Sequence, residues 1–344
     1  MHSLAVLLLA VAAQDDAGPS VIVVTIDGVR WQEVFGGAEP RLMDARAGGV
    51  IDVAGTDRAF GGATPEERRR KLMPFLWEVV ARDGRIYGNA ARGSVGKVTN
   101  GLNFSYPGYA ELLCGFADPR IDSNDKKPNP NATVLEWLSK RPGFEGKVAA
   151  FCSWDVFPSI LNRGTSGVPV WCGDPVPGRE DLNAMLRDLP VPWRPGSFYD
   201  VVTFLPALEH LKARRPRVLY LALGETDEWA HAGRYDRYLE AIRRADGYLR
   251  TLWETAPGRM ALLVTTDHGR GHEGTSWKNH GKDVAGADRF WVALLGAGVK
   301  PGGERTNVPP ITQSQVAATI ADLAGEDYAA AEPRAAKPIS SGGP

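Results

Sequence analysis

"ALLVTTDHG", residues 261–269, decides how this chain is read. Apolar and β-branched residues run without alternation straight into an aspartate and a histidine. A continuous apolar run bounded by polar residues predicts a strand covered on both faces. Such a strand would deliver Asp267 and His268, two metal-capable side chains, to one edge of a sheet. Asp-His-Gly is also an ordinary polar turn, so the reading depends on partners elsewhere in the chain.

Two further runs have the same form, "VIVVTID" (21–27) and "RVLYLALGETD" (217–227). Both end in aspartate. Helical patterns separate the runs. "TPEERRRKLMPFLWEVVARDG" carries Thr64 as N-cap, Pro65 at the first helical position and Gly84 as a stop. Long amphipathic patterns follow at 234–258 and 311–326. Strands alternating with helices predict an α/β fold, a three-layer arrangement with a largely parallel central sheet flanked by helices. Residues 152–200, dense in Pro, Gly and Trp, are expected to form an irregular cap-like insertion in a single domain spanning 14–328. The stretch 329–344 is expected to be a flexible tail.

At 344 residues the chain has ample material for a buried core, and 43% apolar with 24% charged residues is a globular composition. The formal net charge of −1 gives no electrostatic reason to expect a nucleic-acid polymer or an anionic membrane as partner. No stretch is long and apolar enough to span a bilayer. The run Leu4–Ala13, followed by two aspartates, fits a signal peptide over 1–13, which predicts export to a periplasm or beyond. Of three cysteines, Cys152 and Cys172 could pair after export, whereas Cys114 in "AELLCG" reads as a buried small residue.

In open α/β sheets, ligands sit beyond the carboxyl ends of the strands. Asp27, Asp227 and Asp267 gathered there would repel one another unless a cation lay between them. Histidines extend the set. His231 follows Asp227 at i+4 in "DEWAH", His268 adjoins Asp267, and His280 lies in "WKNHGKD". Three aspartates and three histidines suffice for two metal ions with N/O ligands. His210 reads as a surface helix residue, and His272 as at most a neighbour of the ligands. Upstream, Ser105 in "NFSYPGYAELLCG" stands at a loop-to-helix junction. A metal would make its hydroxyl a competent nucleophile, and the helix N-terminus would favour a nearby phosphate. Thr99 and Asn103 are the neighbouring polar alternatives.

These pieces, in this order, resemble the alkaline phosphatase superfamily, and most closely its nucleotide pyrophosphatase/phosphodiesterase-like branch. That branch carries Asp after the first strand, then Thr or Ser in a "Thr-Phe-Pro"-like segment ending in Gly ten residues on, matched by Ser105 to Gly115. It then carries Asp-x-x-x-His (Asp227, His231), Asp-His-Gly (Asp267, His268, Gly269) and a later His (His280). The resemblance spans about residues 20–325. It implies that Asp27, Ser105, Asp267 and His268 hold one divalent metal and that Asp227, His231 and His280 hold the other. Zinc is the usual occupant, with manganese an alternative. It further implies a small phosphorylated substrate, attacked by Ser105 to give a phosphoseryl intermediate. Asn124 is the candidate for a phosphate-contacting asparagine. The chain departs from the branch at Gly108 and Tyr109, and at Glu225 and Thr226, positions expected to surround the substrate.

Sulfatases share this scaffold but require a modifiable Cys or Ser in "C/S-x-P-x-R", and Tyr109 stands where that Arg belongs. A non-catalytic metal-binding protein would be expected to have lost a ligand or the nucleophile, and neither is lost. Monoester and diester hydrolysis are not distinguished, nor is the oligomeric state. Arg30, Arg92 and Lys97 are candidates for the additional cation a monoesterase needs. Trp154, Trp171 and Trp193 are candidates for a base or aromatic leaving-group pocket, or for the core of the insertion.

Overall fold

The computed structural model describes residues 19–339, apart from 176–178, 188, 194, 257–258 and 273. The proposed signal peptide therefore lies outside the described residues. Ten strands occur among those described: β1 Ser20–Ile26, β2 Arg85–Tyr87, β3 Gly96–Lys97, β4 Val148–Cys152, β5 Val170–Trp171, β6 Val218–Leu223, β7 Met260–Thr265, β8 Val292–Gly296, β9 Gly303–Glu304 and β10 Ile311–Thr312. Eight of them form one sheet in the order β5-β4-β6-β1-β7-β8-β2-β9, while β10 and β3 pair separately. Only β8 runs antiparallel to its sheet neighbours. The three runs read from sequence are adjacent, with β1 between β6 and β7.

Each face of β1 enters a different core, which is why its sequence does not alternate. Val21 and Val23 pack with the helices Ser105–Cys114 and Gln315–Leu323 on one side. Ile22, Val24 and Ile26 pack with the helix Tyr235–Thr255 on the other. Each fully buried aliphatic side chain there contributes roughly 1.5–3 kcal/mol. The result is the expected three-layer α/β fold with a mostly parallel sheet.

Four local expectations are altered. Met73 ends the helix Pro65–Leu72 just before Pro74, which lacks the N–H to continue it, and a wider turn spans Leu76–Val80 before Gly84 stops the segment. The last long helix starts at Gln315, because Ile311 and Thr312 are drawn into pairing with Gly96 and Lys97. The 152–200 segment is not detached from the sheet, since β5 extends its edge. The tail is packed as far as Ile339, which is 3% exposed. Ala336 donates to Gly115 O and Ile339 to Thr319 Oγ1, so backbone pairing holds a stretch whose composition suggested freedom.

All three cysteines are free thiols. Cys152 and Cys172 follow paired positions of the parallel strands β4 and β5, and the Cys172 thiol donates to Trp154 O at 2.9 Å. No described helix is long and apolar enough to cross a membrane.

Candidate metal centre

The register of the sheet assembles the site. Thr25 pairs with Thr265 and Ile26 with Leu223, so β6, β1 and β7 end side by side. Asp27 and Asp267 leave these ends directly, and Asp227 follows in the short helix Glu225–His231. The seven expected metal and nucleophile residues converge there.

Asp27, Asp267 and His268 offer ligand atoms within 4.8 Å of one another, all buried. His268 Nε2 lies 3.3 Å from Asp27 Oδ1, 3.4 Å from Asp267 Oδ2 and 3.3 Å from Ser105 Oγ. Ligands at about 2.0–2.1 Å around a tetrahedral ion stand about 3.3–3.4 Å apart, so the spacing fits. Among the described residues, Asp27 Oδ1 and Asp267 Oδ2 have no hydrogen-bond partner. The outward atoms are all engaged. Tyr109 donates to Asp27 Oδ2 at 2.9 Å, Gly28 N to Asp267 Oδ1 at 3.1 Å, and His268 Nδ1 pairs with Gly269 O at 2.9 Å. With its proton on Nδ1, the ring turns a lone pair toward two carboxylates, an arrangement that a cation satisfies.

Without a cation, protons must serve instead. Burial and the Asp27 charge raise the Asp267 carboxyl. Burial opposes charge on His268, but Asp267 and Asp27 outweigh it and lift the imidazole to about 9.

Asp227, His231 and His280 form the second cluster, also within 4.8 Å, and it is more open to solvent. His231 Nε2 is 3.0 Å from His280 Nε2 and 3.2 Å from Asp227 Oδ2. Partial burial and the neighbouring His268 hold both imidazoles below their usual value, which favours the neutral, ligand-ready form at pH 7. The clusters adjoin: the His268 and His280 ring centres are 4.1 Å apart.

Arg270 escaped the sequence reading. Its fully buried guanidinium pairs with Asp227 Oδ1 and also bonds Gly28 O and Lys278 O. Its position directly after Asp-His-Gly was the available signal. Gly28 has φ +61°, and a Cβ there would come 2.7 Å from Arg270 Nε and 2.9 Å from Asp227 Oδ1. Only glycine fits.

Three of the four departures from the branch pattern, Gly108, Tyr109 and Thr226, pack against Asp27 or Asp267. Tyr109 orients Asp27, and burial keeps its phenol protonated as a donor. A Cβ on Gly108 would meet Asp267 O at 2.5 Å. Thr226 donates to Asp27 O at 2.5 Å. Glu225 accepts from Asp200 N and Arg244 and so faces the insertion.

Ser105 opens the helix Ser105–Cys114. Asn124 Oδ1 accepts the Tyr106 N–H at 2.9 Å, which places Asn124 at the same helix start. Thr99 is turned away, donating to Glu111 at 2.6 Å. Of the cation candidates, Arg30 is consumed by Glu33, Glu39 and Gly271 O. Arg92 pairs with Glu304 on β9, three strands from β7. Lys97 is exposed on β3. His272 is exposed too, and His210 is half-buried with its ring near Phe151. Trp193 packs edge-on against Trp229 of the helix carrying Asp227 and His231, so the insertion buttresses the second cluster. Trp154 rests on Phe157, and Trp171 belongs to β5.

A family model described as the metalloenzyme superfamily matches residues 203–284, the stretch holding Asp227, His231, Asp267, His268 and His280. No curated protein matches the sequence. Among solved structures, wild-type alkaline phosphatase PafA is similar with a TM-score of 0.59 at 11% identity, covering 94% of this chain and 98% of that one. The lipoteichoic acid synthase LtaP from Listeria monocytogenes gives 0.58 at 11%, covering 90% and 72%. A 2-O GAG sulfatase gives 0.52 at 14%, covering 95% and 73%. At these identities the likeness speaks for the fold.

Proposed function

We propose that this chain, whose fold is that of the alkaline phosphatase superfamily, is a metal-dependent phosphoric ester hydrolase with Ser105 as nucleophile. The observation that carries this reading is the Ser105 hydroxyl, 3.3 Å from His268 Nε2 at a helix N-terminus and beside two clusters of metal-capable side chains. Asp27, Asp267, His268 and Ser105 would hold one divalent ion, and Asp227, His231 and His280 the other. Zinc suits the histidine-bearing sets, and manganese is the alternative. Bound there, the ions would acidify the serine hydroxyl and offset phosphoryl charge.

The chain's own groups do the rest. Ser105 Oγ forms a bond to phosphorus as the ester oxygen departs, and water then cleaves the phosphoseryl bond. Tyr106 N–H is occupied by Asn124, and Pro107 has none, so Ser105 N–H is the helix-start donor left for an equatorial oxygen. The exposed Asn124 is our candidate for a second contact. The proposed branch rests on the joint pattern of Asp27, the Ser105-to-Gly115 segment, Asp227 with His231, Asp267-His268-Gly269 and His280.

Turnover of p-nitrophenyl phosphate, bis-p-nitrophenyl phosphate and p-nitrophenyl sulfate, with and without chelator, tests the reading. Phosphate ester hydrolysis abolished by chelation and restored by zinc is expected, with Ser105→Ala several orders of magnitude slower. Chelator-resistant activity, or preference for the sulfate ester, would overturn it. Export belongs to the same proposal: native protein should begin near Gln14, and an intact Met1 would remove that part.

A further inference from the structure

Asn103, two residues before the serine, adopts φ +55°, a left-handed conformation in which asparagine is tolerated but not at rest. The conformation is enforced. Asn100 Oδ1 accepts from Leu102 N and Asn103 N, and Asn100 is itself clamped by Glu111 through its backbone N–H and its amide. Glu111 also takes Thr99 and Ser314, so a fully buried carboxylate in the nucleophile's own helix dictates the path of residues 99–103.

That path carries Asn103 to the junction of the two metal clusters. Its carbonyl lies toward His280 of the second cluster, and Ser105 touches His268 of the first. The residue is 7% exposed, and among the described residues its Oδ1 has no hydrogen-bond partner. No described residue accepts from its Nδ2. The two ends of a carboxamide can exchange by rotation, so a donor is free in either orientation. A buried carboxamide end without an intramolecular partner, as Oδ1 is here, costs the fold stability unless a ligand satisfies it.

We propose that the Asn103 carboxamide is a substrate-binding group that donates N–H to a non-bridging oxygen of phosphate or of the phosphoryl group under transfer. This rests on the phosphoric ester reading above. The free amide, its burial, and its place between Ser105 and His280 together carry it.

Calorimetric titration of the metal-loaded protein with inorganic phosphate tests it. Asn103→Gly removes the amide and accepts the positive φ without strain. Asn103→Asp keeps the shape of the turn and replaces the donor with a negative charge. Both should retain wild-type metal content, with phosphate affinity about tenfold weaker in Asn103→Gly and weaker still in Asn103→Asp. Loss of kcat/KM on the best phosphate ester should run parallel. Wild-type phosphate affinity in either variant overturns the assignment while leaving the phosphoric ester reading intact. A metal-loaded wild-type protein that binds no phosphate removes both.

Discussion

The two metal-capable clusters use similar ligands but are built on opposite terms. Asp27, Asp267 and His268 hang from the ends of adjacent central strands, are buried, and have each outward-facing atom engaged by Tyr109, Gly28 or Gly269. Asp227, His231 and His280 stand on a seven-residue helix and a loop, lie nearer solvent, and share a carboxylate oxygen with Arg270. The first arrangement is preorganised at an electrostatic cost, because two buried carboxylates face a ring nitrogen. The second avoids that cost but forgoes some rigidity.

The largest effects should come from breaking one cluster at a time. Asp267→Asn is expected to remove about one metal per chain by elemental analysis and to lower activity by several orders of magnitude. The metal-free variant should nevertheless melt higher than metal-free wild type at pH 8. The sign follows from linkage: the folded protein raises the Asp267 carboxyl, so its burial costs stability increasingly as pH rises from about 4 toward the folded value, and asparagine carries no such cost. His231→Ala should also lose about one metal, but with metal-free stability unchanged within about 0.5 kcal/mol, as expected for an exposed position. Equal stability effects of the two variants would erase the distinction drawn here.

A smaller effect sharpens it. Tyr109→Phe strips the only donor to Asp27 Oδ2 among the described residues and leaves a buried oxygen unsatisfied. Competitive metal titration should show affinity at the buried cluster falling by about 10–100-fold and the open cluster unaffected. An unchanged titration would mean that Tyr109 merely fills space.

The mildest contrast is in pH. Metal must displace the protons that metal-free His268 and Asp267 retain, so affinity at the buried cluster should climb between pH 6 and 9 by up to about tenfold per pH unit for each proton displaced. His231 and His280 are held below the usual imidazole value by burial and by His268, so the open cluster should respond less. Metal titrations at pH 6, 7.5 and 9 in His231→Ala and in Asp267→Asn isolate the two responses.

Asp27 and Asp267 just past their strands, His231 one helical turn beyond Asp227, and the Ser105 segment were legible because each is a local pattern: a run of apolar residues, an i+4 spacing, a serine before a proline. Asp227 itself was expected to end a strand, but β6 stops at Leu223 and Asp227 stands on the helix that follows. The α/β layering was legible for the same reason. Pro74, too, was visible in the helical pattern, yet its effect was underestimated because the surrounding residues favour helix so strongly. The roles of Gly108, Tyr109 and Thr226 were misplaced, since sequence distance says nothing about which side of a ligand a neighbour occupies.

What the sequence determined by itself was the kind of chemistry available and the strands that would carry it, because burial periodicity and ligand type are properties of short segments. Tertiary structure alone decided how those segments meet. Tyr109 reaches Asp27 across 82 residues, Gly28 meets Asp267 across 239, and Arg270 crosses to Asp227 across 43. These contacts exist only because parallel register brings β6, β1 and β7 to a common end. Register is a collective outcome of packing both faces of the sheet, and no single segment encodes it.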